Sequence, residues 1–380
     1  MSRPFHNVIR SLQRARPMTA GLRGWTVVAA LLIAATAASA QTLYWDANGT
    51  TAGAGNTGGT WSSATGAANR RWNSSSAGTS ITQRWTSGAD AVFSAGTDST
   101  GSFTITVSGT QNVGSITVEE GNPTINSGVL NFNSASPSID VASGSTLTVG
   151  SRITGTTGLS KDGDGTLVLR AATNSWTGGF NINAGIVELA VSNVVPNSDA
   201  ITIASGATLQ IDSGISETLG TLSGSGSVTK LGTGTLTFNS SFNFSGDLTL
   251  GGGTVSIAGI TANVGTLHIT GNTVLDFGSS AASILTASTF IIDAGVTLTI
   301  NNWTNATDYF YAQSWTGASY NTRGTTPMNQ VTFSGFSSST TGWLSFDNQI
   351  TPVPEPTTYG AVFSALMLAW VAWRRRASLV

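Results

Sequence analysis

The chain has 380 residues, of which 16 are basic and 18 acidic, for a net charge of −2. Charged side chains make up 9% of it, against ~25% in an ordinary soluble domain, and so sparse a set of Lys and Arg argues against nucleic acid as a partner. The 46 Gly follow no Gly-X-Y period, which excludes collagen, and the absence of Cys excludes disulfide staples, thiol catalysis, iron–sulfur clusters and Cys-ligated zinc.

Residues 1–40 carry the three parts of a secretory leader: Arg3, Arg10, Arg14, Arg16 and Arg23 with no acid, an apolar run over 25–35, and small residues over 36–40. Ala38-Ser39-Ala40 is an A-x-A cleavage site that leaves Gln41 as the mature N-terminus, and Met18 is an alternative start that gives a more usual leader length. Sec-type export machinery and signal peptidase are the implied partners. The competing reading is an N-terminal membrane anchor, for which the apolar run is short of the ~20 residues a span needs.

Residues 41–110 read as an N-terminal cap with the first coils. Trp45, Trp61, Trp72 and Trp85 crowd into the first part of this body, either as a sugar-stacking platform or, more economically, as large rings that bury an open end. Gly53-Ala54-Gly55-Asn56-Thr57-Gly58 matches G-x-G-x-x-G, but no helix follows it, so the phosphate-binding reading fails. Glu119-Glu120 precedes Gly121-Asn122-Pro123 and reads as a solvated turn rather than a glycosidase pair, which needs carboxylates on both sides of a cleft.

Residues 111–300 read as a β-solenoid, and strands are expected throughout the stretch from 41 to about 352. Runs such as Phe103-Thr104-Ile105-Thr106-Val107, Thr166-Leu167-Val168-Leu169, Ile201-Thr202-Ile203 and Thr297-Leu298-Thr299-Ile300 alternate with period two between Gly, Asn, Ser and Asp turns, and no convincing 3.6 period occurs. Elements also repeat. Lys161-Asp162-Gly163-Asp164-Gly165-Thr166-Leu167 returns 69 positions later as Lys230-Leu231-Gly232-Thr233-Gly234-Thr235-Leu236, and a stretch from Gly178 through Gly185 to Leu189 returns 68 positions later from Gly246 through Gly253 to Ile257. A strand and turn cannot bury its apolar side alone, whereas stacked coils build one continuous core. The expectation is an all-β, right-handed parallel β-helix of ~12 to 15 coils and ~60 to 70 Å, with a β-sandwich array as the competing architecture.

Asp162-Gly163-Asp164-Gly165 shares part of a calcium loop but lacks the remaining ligands, and its repeat partner keeps the glycines without the acids, which favours a turn. His268 is the single histidine of the body, and alternation places it opposite Leu267 and Ile269, on the solvated face. No catalytic residue, metal ligand or cofactor site is expected, and the G-x-S-x-G elbow is absent.

Residues 301–352 read as a C-terminal cap and linker, with Trp303, Trp315 and Trp343. Residues 353–380 open on Val353-Pro354-Glu355-Pro356, continue as an apolar helix over about 359–373, and close on Arg374-Arg375-Arg376, the layout of a C-terminal transmembrane anchor.

The segment Gly165-Thr166-Leu167-Val168-Leu169, Asn174-Ser175-Trp176-Thr177-Gly178-Gly179 and Asn183-Ala184-Gly185-Ile186-Val187-Glu188-Leu189 resembles an autotransporter-associated β-strand repeat, with a degenerate second copy in which Phe244-Ser245-Gly246-Asp247 replaces Trp-Thr-Gly-Gly. The tail resembles the PEP-CTERM sorting signal of Gram-negative bacteria, which implies an exosortase-type membrane protease acting near Pro354-Glu355-Pro356. Leu43-Tyr44-Trp45-Asp46, Gly58-Gly59-Thr60-Trp61 and Gly88-Ala89-Asp90-Ala91-Val92-Phe93 are similar to the N-terminal segment of exported proteins that combine the two. The resemblance implies a protein that is anchored transiently in the inner membrane and then sorted to the cell surface or outside the cell.

Three function classes follow. The first is a non-catalytic structural protein of the surface or of an extracellular polysaccharide matrix, that polysaccharide being its partner. The second is an adhesin or glycan-binding rod, which needs exposed Trp or Tyr in a groove. The third is a polysaccharide lyase or hydrolase, which needs clustered acids with Lys or Arg. Between Gln41 and Glu355 there are 8 basic and 18 acidic residues, a net of −10, with Lys161 and Lys230 as the only lysines.

Overall fold

The computed structural model describes residues 40–55, 58–279, 281–315, 328–336, 341–344, 346–352, 365–368 and 370. Contacts divide the chain into Met1–Ser39 and Ala40–Val380, and the architecture below belongs to the second unit. The leader and most of the 353–380 tail, including Ala38 and every named residue of the sorting motif, lie outside the described residues.

Period two decides the local structure. Over Ser102–Val107, Phe103, Ile105 and Val107 are buried while Thr104 and Thr106 are exposed, as a pleated strand with one wet face requires. Such strands recur as parallel pairs one coil apart. They form a nine-stranded sheet and a 14-stranded sheet, with three- and six-stranded sheets on a third side. Inward positions line up in register: Leu147, Leu167, Val187, Leu209 and Val228 are stacked neighbours, all fully buried. Each such residue removed from water contributes roughly 1.5–3 kcal/mol.

The result is an all-β, right-handed-type parallel solenoid of about 11 turns, roughly 50 Å long at ~4.8 Å per coil. The expected ~12 to 15 coils and ~60 to 70 Å are too many, because segments such as 62–71 and 190–200 leave the coil and use residues without adding a turn. Helix among the described coil residues is confined to two 3-10 turns, Ala67–Asn69 and Met328–Gln330. In the tail only 365–368 and 370 are described as helical, and no helix among the described residues is long and apolar enough to cross a membrane.

The third side is interrupted for two coils between Arg152–Gly155 and Glu217–Leu219. Side chains carry the backbone pairing across the gap. Ile153 N–H donates to Asn174 Oδ1 at 2.7 Å, Asn174 Nδ2 donates to Val194 O at 2.9 Å, and Val194 and Val195 N–H donate to the Glu217 carboxylate at 3.0 and 2.9 Å. Burial raises the Glu217 carboxyl above its ordinary range, opposed by these N–H donors, so both buried groups are spent on satisfying backbone.

At each end one sheet is closed by antiparallel strands, the nine-stranded sheet at the N-terminal end and the 14-stranded sheet at the C-terminal end. Trp72–Asn73 covers the open edge of Thr42–Trp45, and Thr341–Leu344 with Gln349–Pro352 folds back on Tyr309–Trp315, which hides strand edges that would otherwise recruit another chain.

The two sequence repeats do not occupy the same faces. In the first copy Leu159–Asp162 lies in the nine-stranded sheet and Thr166–Leu169 in the 14-stranded one. In the second, Ser227–Leu231 lies in the 14-stranded sheet and Thr235–Phe238 in the six-stranded one. The repeat is therefore a strand–corner–strand module used at successive corners, displaced by one side between copies. This accounts for a separation that is not a whole number of coils.

Candidate functional site: a lysine-caged repeat corner

Lys161 and Lys230 stand at inward core positions. Lys161 is in register with Ile139 and Ile182, Lys230 with Ile211 and Leu250, and both are fully buried. Alternation carries this signal in the sequence, since Leu159 and Val228 set the inward parity two residues earlier. Each ammonium is held by backbone carbonyls of its own corner and of the next coil. Lys161 Nζ donates to Asp162 O at 2.8 Å, Gly163 O at 2.7 Å and Ala184 O at 3.2 Å. Lys230 Nζ donates to Gly232 O at 3.0 Å, Thr233 O at 3.5 Å and Gly252 O at 2.7 Å. One charge thus ties two successive corners together.

Burial pushes the Lys161 ammonium down to about 8, opposed by the nearby carboxylates of Asp140, Asp162 and Asp164. Burial also lowers Lys230. In the corner Asp162-Gly163-Asp164-Gly165, the Asp162 and Gly163 carbonyls are taken by Lys161, and Asp162 Oδ1 accepts from Asn183 Nδ2 at 2.7 Å. The corner is a turn whose carbonyls are taken by its own lysine.

The glycines of the repeat are explained by the same corner. Gly185 sits at φ +66, and a Cβ there would overlap Gly165 O and stand 2.7 Å from Gly163 O; at Gly253, φ +74, it would meet Gly234 O and stand 2.5 Å from Lys230 Nζ. Gly185→Ala is expected to cost about 2–4 kcal/mol, because positive φ and overlap with rigid backbone add. Urea unfolding of the variant beside Gly206→Ala, where φ is +85 but nothing lies within 4 Å, separates the two costs.

The remaining candidates have structural partners. Ala54 and Gly55 N–H, in the glycine-rich stretch, donate to the Asp98 carboxylate at 2.8 and 3.2 Å, so this loop binds the protein's own acid. His268 lies on the outer face as alternation indicates, and its Nε2 is 2.9 Å from Asp293 Oδ1, a partner not visible in the sequence. Trp45, Trp61, Trp72, Trp85 and Phe93 form one buried ring cluster, and Trp303 and Trp343 are buried at the far end. These rings act as caps, not as a sugar platform; the side chain of Trp315 lies outside the described residues.

Glu119, Glu120 and Asp140 do converge on one shallow groove of about 460 Å³. Glu119 is raised by burial and then by Glu120. Glu120 is already committed, accepting from Ser99 N–H at 2.9 Å and Ser94 Oγ at 3.4 Å. No Lys or Arg lines the groove, and among the described residues no group of three His, Cys, Asp or Glu could hold a metal ion.

The family model for the passenger-associated transport repeat matches residues 159–189 and 228–257, the two segments that carry the caged lysines. No curated protein and no solved structure matches the chain.

Proposed function

We propose that this chain is an exported β-solenoid that serves as a non-catalytic structural protein of the cell surface or of an extracellular polysaccharide matrix. Passenger-associated repeats on a continuous solenoid fit an exported, surface-displayed protein, and this observation carries the reading. The positions of the two inferred processing points support the finer part of it. Cleavage after Ala40 leaves the first strand, Thr42–Trp45, intact, and cleavage near Pro354-Glu355-Pro356 falls just beyond the last strand, Gln349–Pro352. In this reading the leader passes through Sec-type machinery and signal peptidase. Val353, Pro354, Glu355 and Pro356 with Arg374, Arg375 and Arg376 then present the tail to an exosortase-type protease. A folded ladder with antiparallel strands at each end survives both cuts.

Peptide-level mass spectrometry of the termini, on protein recovered from the surface or secreted fraction, is expected to find a body that begins at Gln41 and ends near Pro356. Recovery of the Arg374 to Val380 peptide in the mature protein would instead show a permanent tail anchor and sink the sorting step.

A further inference from the structure

Two segments leave the solenoid beside its N-terminal strands, 62–71 and 74–89; they flank the short strand Trp72–Asn73, and Trp72 makes an antiparallel bridge to Gln83 of the second. They enclose an open cleft of about 540 Å³, lined among others by Arg70, Arg84, Ile81, Thr82, Ser63 and Thr86. That volume lies within the ~300–1,000 Å³ of ordinary small-ligand sites. Excursions grafted onto a rigid scaffold are where binding groups concentrate.

The charge of this cleft runs against that of the body, whose net is −10 between Gln41 and Glu355. Arg70 and Arg84 are both exposed, and neither is within ion-pair distance of a described carboxylate; the ion pair found among the described residues is His268–Asp293. Arg71, between them in sequence, is spent on structure, with Nη1 donating to Ala47 O at 3.3 Å. The cleft thus offers two uncommitted guanidinium groups, whose planar forks match carboxylates. Ile81, 75% exposed, presents an apolar surface in the same cleft, and Thr82, Thr86 and Ser63 add hydroxyls. Trp85 forms buried wall, its Nε1 tied to Asn112 O at 3.0 Å.

We infer that this cleft binds uronate polysaccharide, taking sugar carboxylates on Arg70 and Arg84 and the C–H face of a pyranose ring on Ile81. A uronate chain carries that combination of negative charge, hydroxyls and an apolar ring face. The groove lined by Glu119, Glu120 and Asp140 has no Lys or Arg and offers such a chain only like charge, so the arginine cleft is the better match. The inference deepens the matrix reading and rests on it only for the extracellular origin of the ligand. Binding is measured on purified protein, so failed tail processing and failed binding are separate results.

The test is calorimetric titration of the full mature protein with oligogalacturonate, dextran and dextran sulfate at low and moderate salt. Oligogalacturonate is expected to bind with salt-dependent affinity and dextran not to bind. Arg70→Gln/Arg84→Gln should weaken oligogalacturonate binding at least tenfold, while Arg170→Gln, an exposed arginine outside the cleft, leaves it unchanged. Both cleft arginines are exposed, so the double variant should keep the wild-type unfolding midpoint. No binding by the wild type, equal binding by the double variant, or dextran sulfate binding as tightly as oligogalacturonate would each overturn the assignment.

Discussion

Lys161→Met is expected to lower the free energy of unfolding by about 2–4 kcal/mol, although methionine is apolar and nearly isosteric with the lysine stem. Removing a buried charge by itself recovers desolvation cost. Here the charge is the donor for three carbonyls, Asp162 O, Gly163 O and Ala184 O. Each acceptor left unpaired in this part-buried corner costs about 1 kcal/mol. Lys161→Ala adds a cavity and is expected to cost about 3–5 kcal/mol. Lys161→Arg should not rescue, because a planar fork cannot replace a compact ammonium in a cage of carbonyls from two coils.

The pH dependence separates this cage from a salt bridge. A lysine stabilised by a partner has a raised folded pKa and loses stability on titration. Lys161 is lowered from 10.5 to about 8, so between these values the unfolded chain holds more protons than the folded one, and stability rises with pH. Below about pH 8 both states are protonated and this slope vanishes. Wild-type stability, measured by urea unfolding, should therefore climb by about 1–2 kcal/mol from pH 8 to 10 relative to Lys161→Met. A fall over the same window would show that attraction by the carboxylates of Asp140, Asp162 and Asp164 outweighs burial.

These lysines also show how far the sequence could be read. The strands were legible because period two over Ser102–Val107 or Thr166–Leu169 follows from having one wet face. The Trp caps were legible because a solenoid must end. That a charged residue sits inward at Lys161 and Lys230 was present in the parity with Leu159 and Val228, but hydrophobicity argues against parity there, and only the carbonyl cage resolves the conflict. The one-side displacement between repeats was not legible, since local similarity carries no information about how many corners intervene. Nor was the arginine cleft: Arg70 and Arg84 are brought together by two loop excursions whose paths depend on the Trp72–Gln83 pairing. The Asn174–Val194–Glu217 relay was hidden for the same reason, because it links residues on three successive coils.

Trp72→Ala is the second large effect, and its spatial reach matters more than its size. The Trp72 ring lies 5.3 Å from Trp45, 4.9 Å from Trp61, 4.6 Å from Trp85 and 5.6 Å from Phe93, centre to centre. Truncation removes the centre of that cluster, at a cost of about 3–5 kcal/mol. Trp72 also belongs to the short antiparallel strand that covers Thr42–Trp45, so its loss bares a strand edge as well as a cavity. In a solenoid each coil contacts mainly its neighbours, so the loss should stay local. Hydrogen exchange is expected to show lost protection in Thr42–Trp45, Gly59–Trp61 and Asp90–Phe93, with Thr208–Ile211 and Ile284–Ile292 unchanged, and the bared edge should promote end-to-end association at high protein concentration. Trp72→Phe keeps a ring in the cluster and removes an indole N–H that has no hydrogen-bond partner. Its cost should be nearer 1 kcal/mol, with the distal exchange pattern of the wild type. Uniform loss of protection through Ile284–Ile292 in Trp72→Ala would mean that the rod unfolds as one cooperative body, and that its N-terminal ring cluster is a nucleus for the whole ladder instead of a cap on its end.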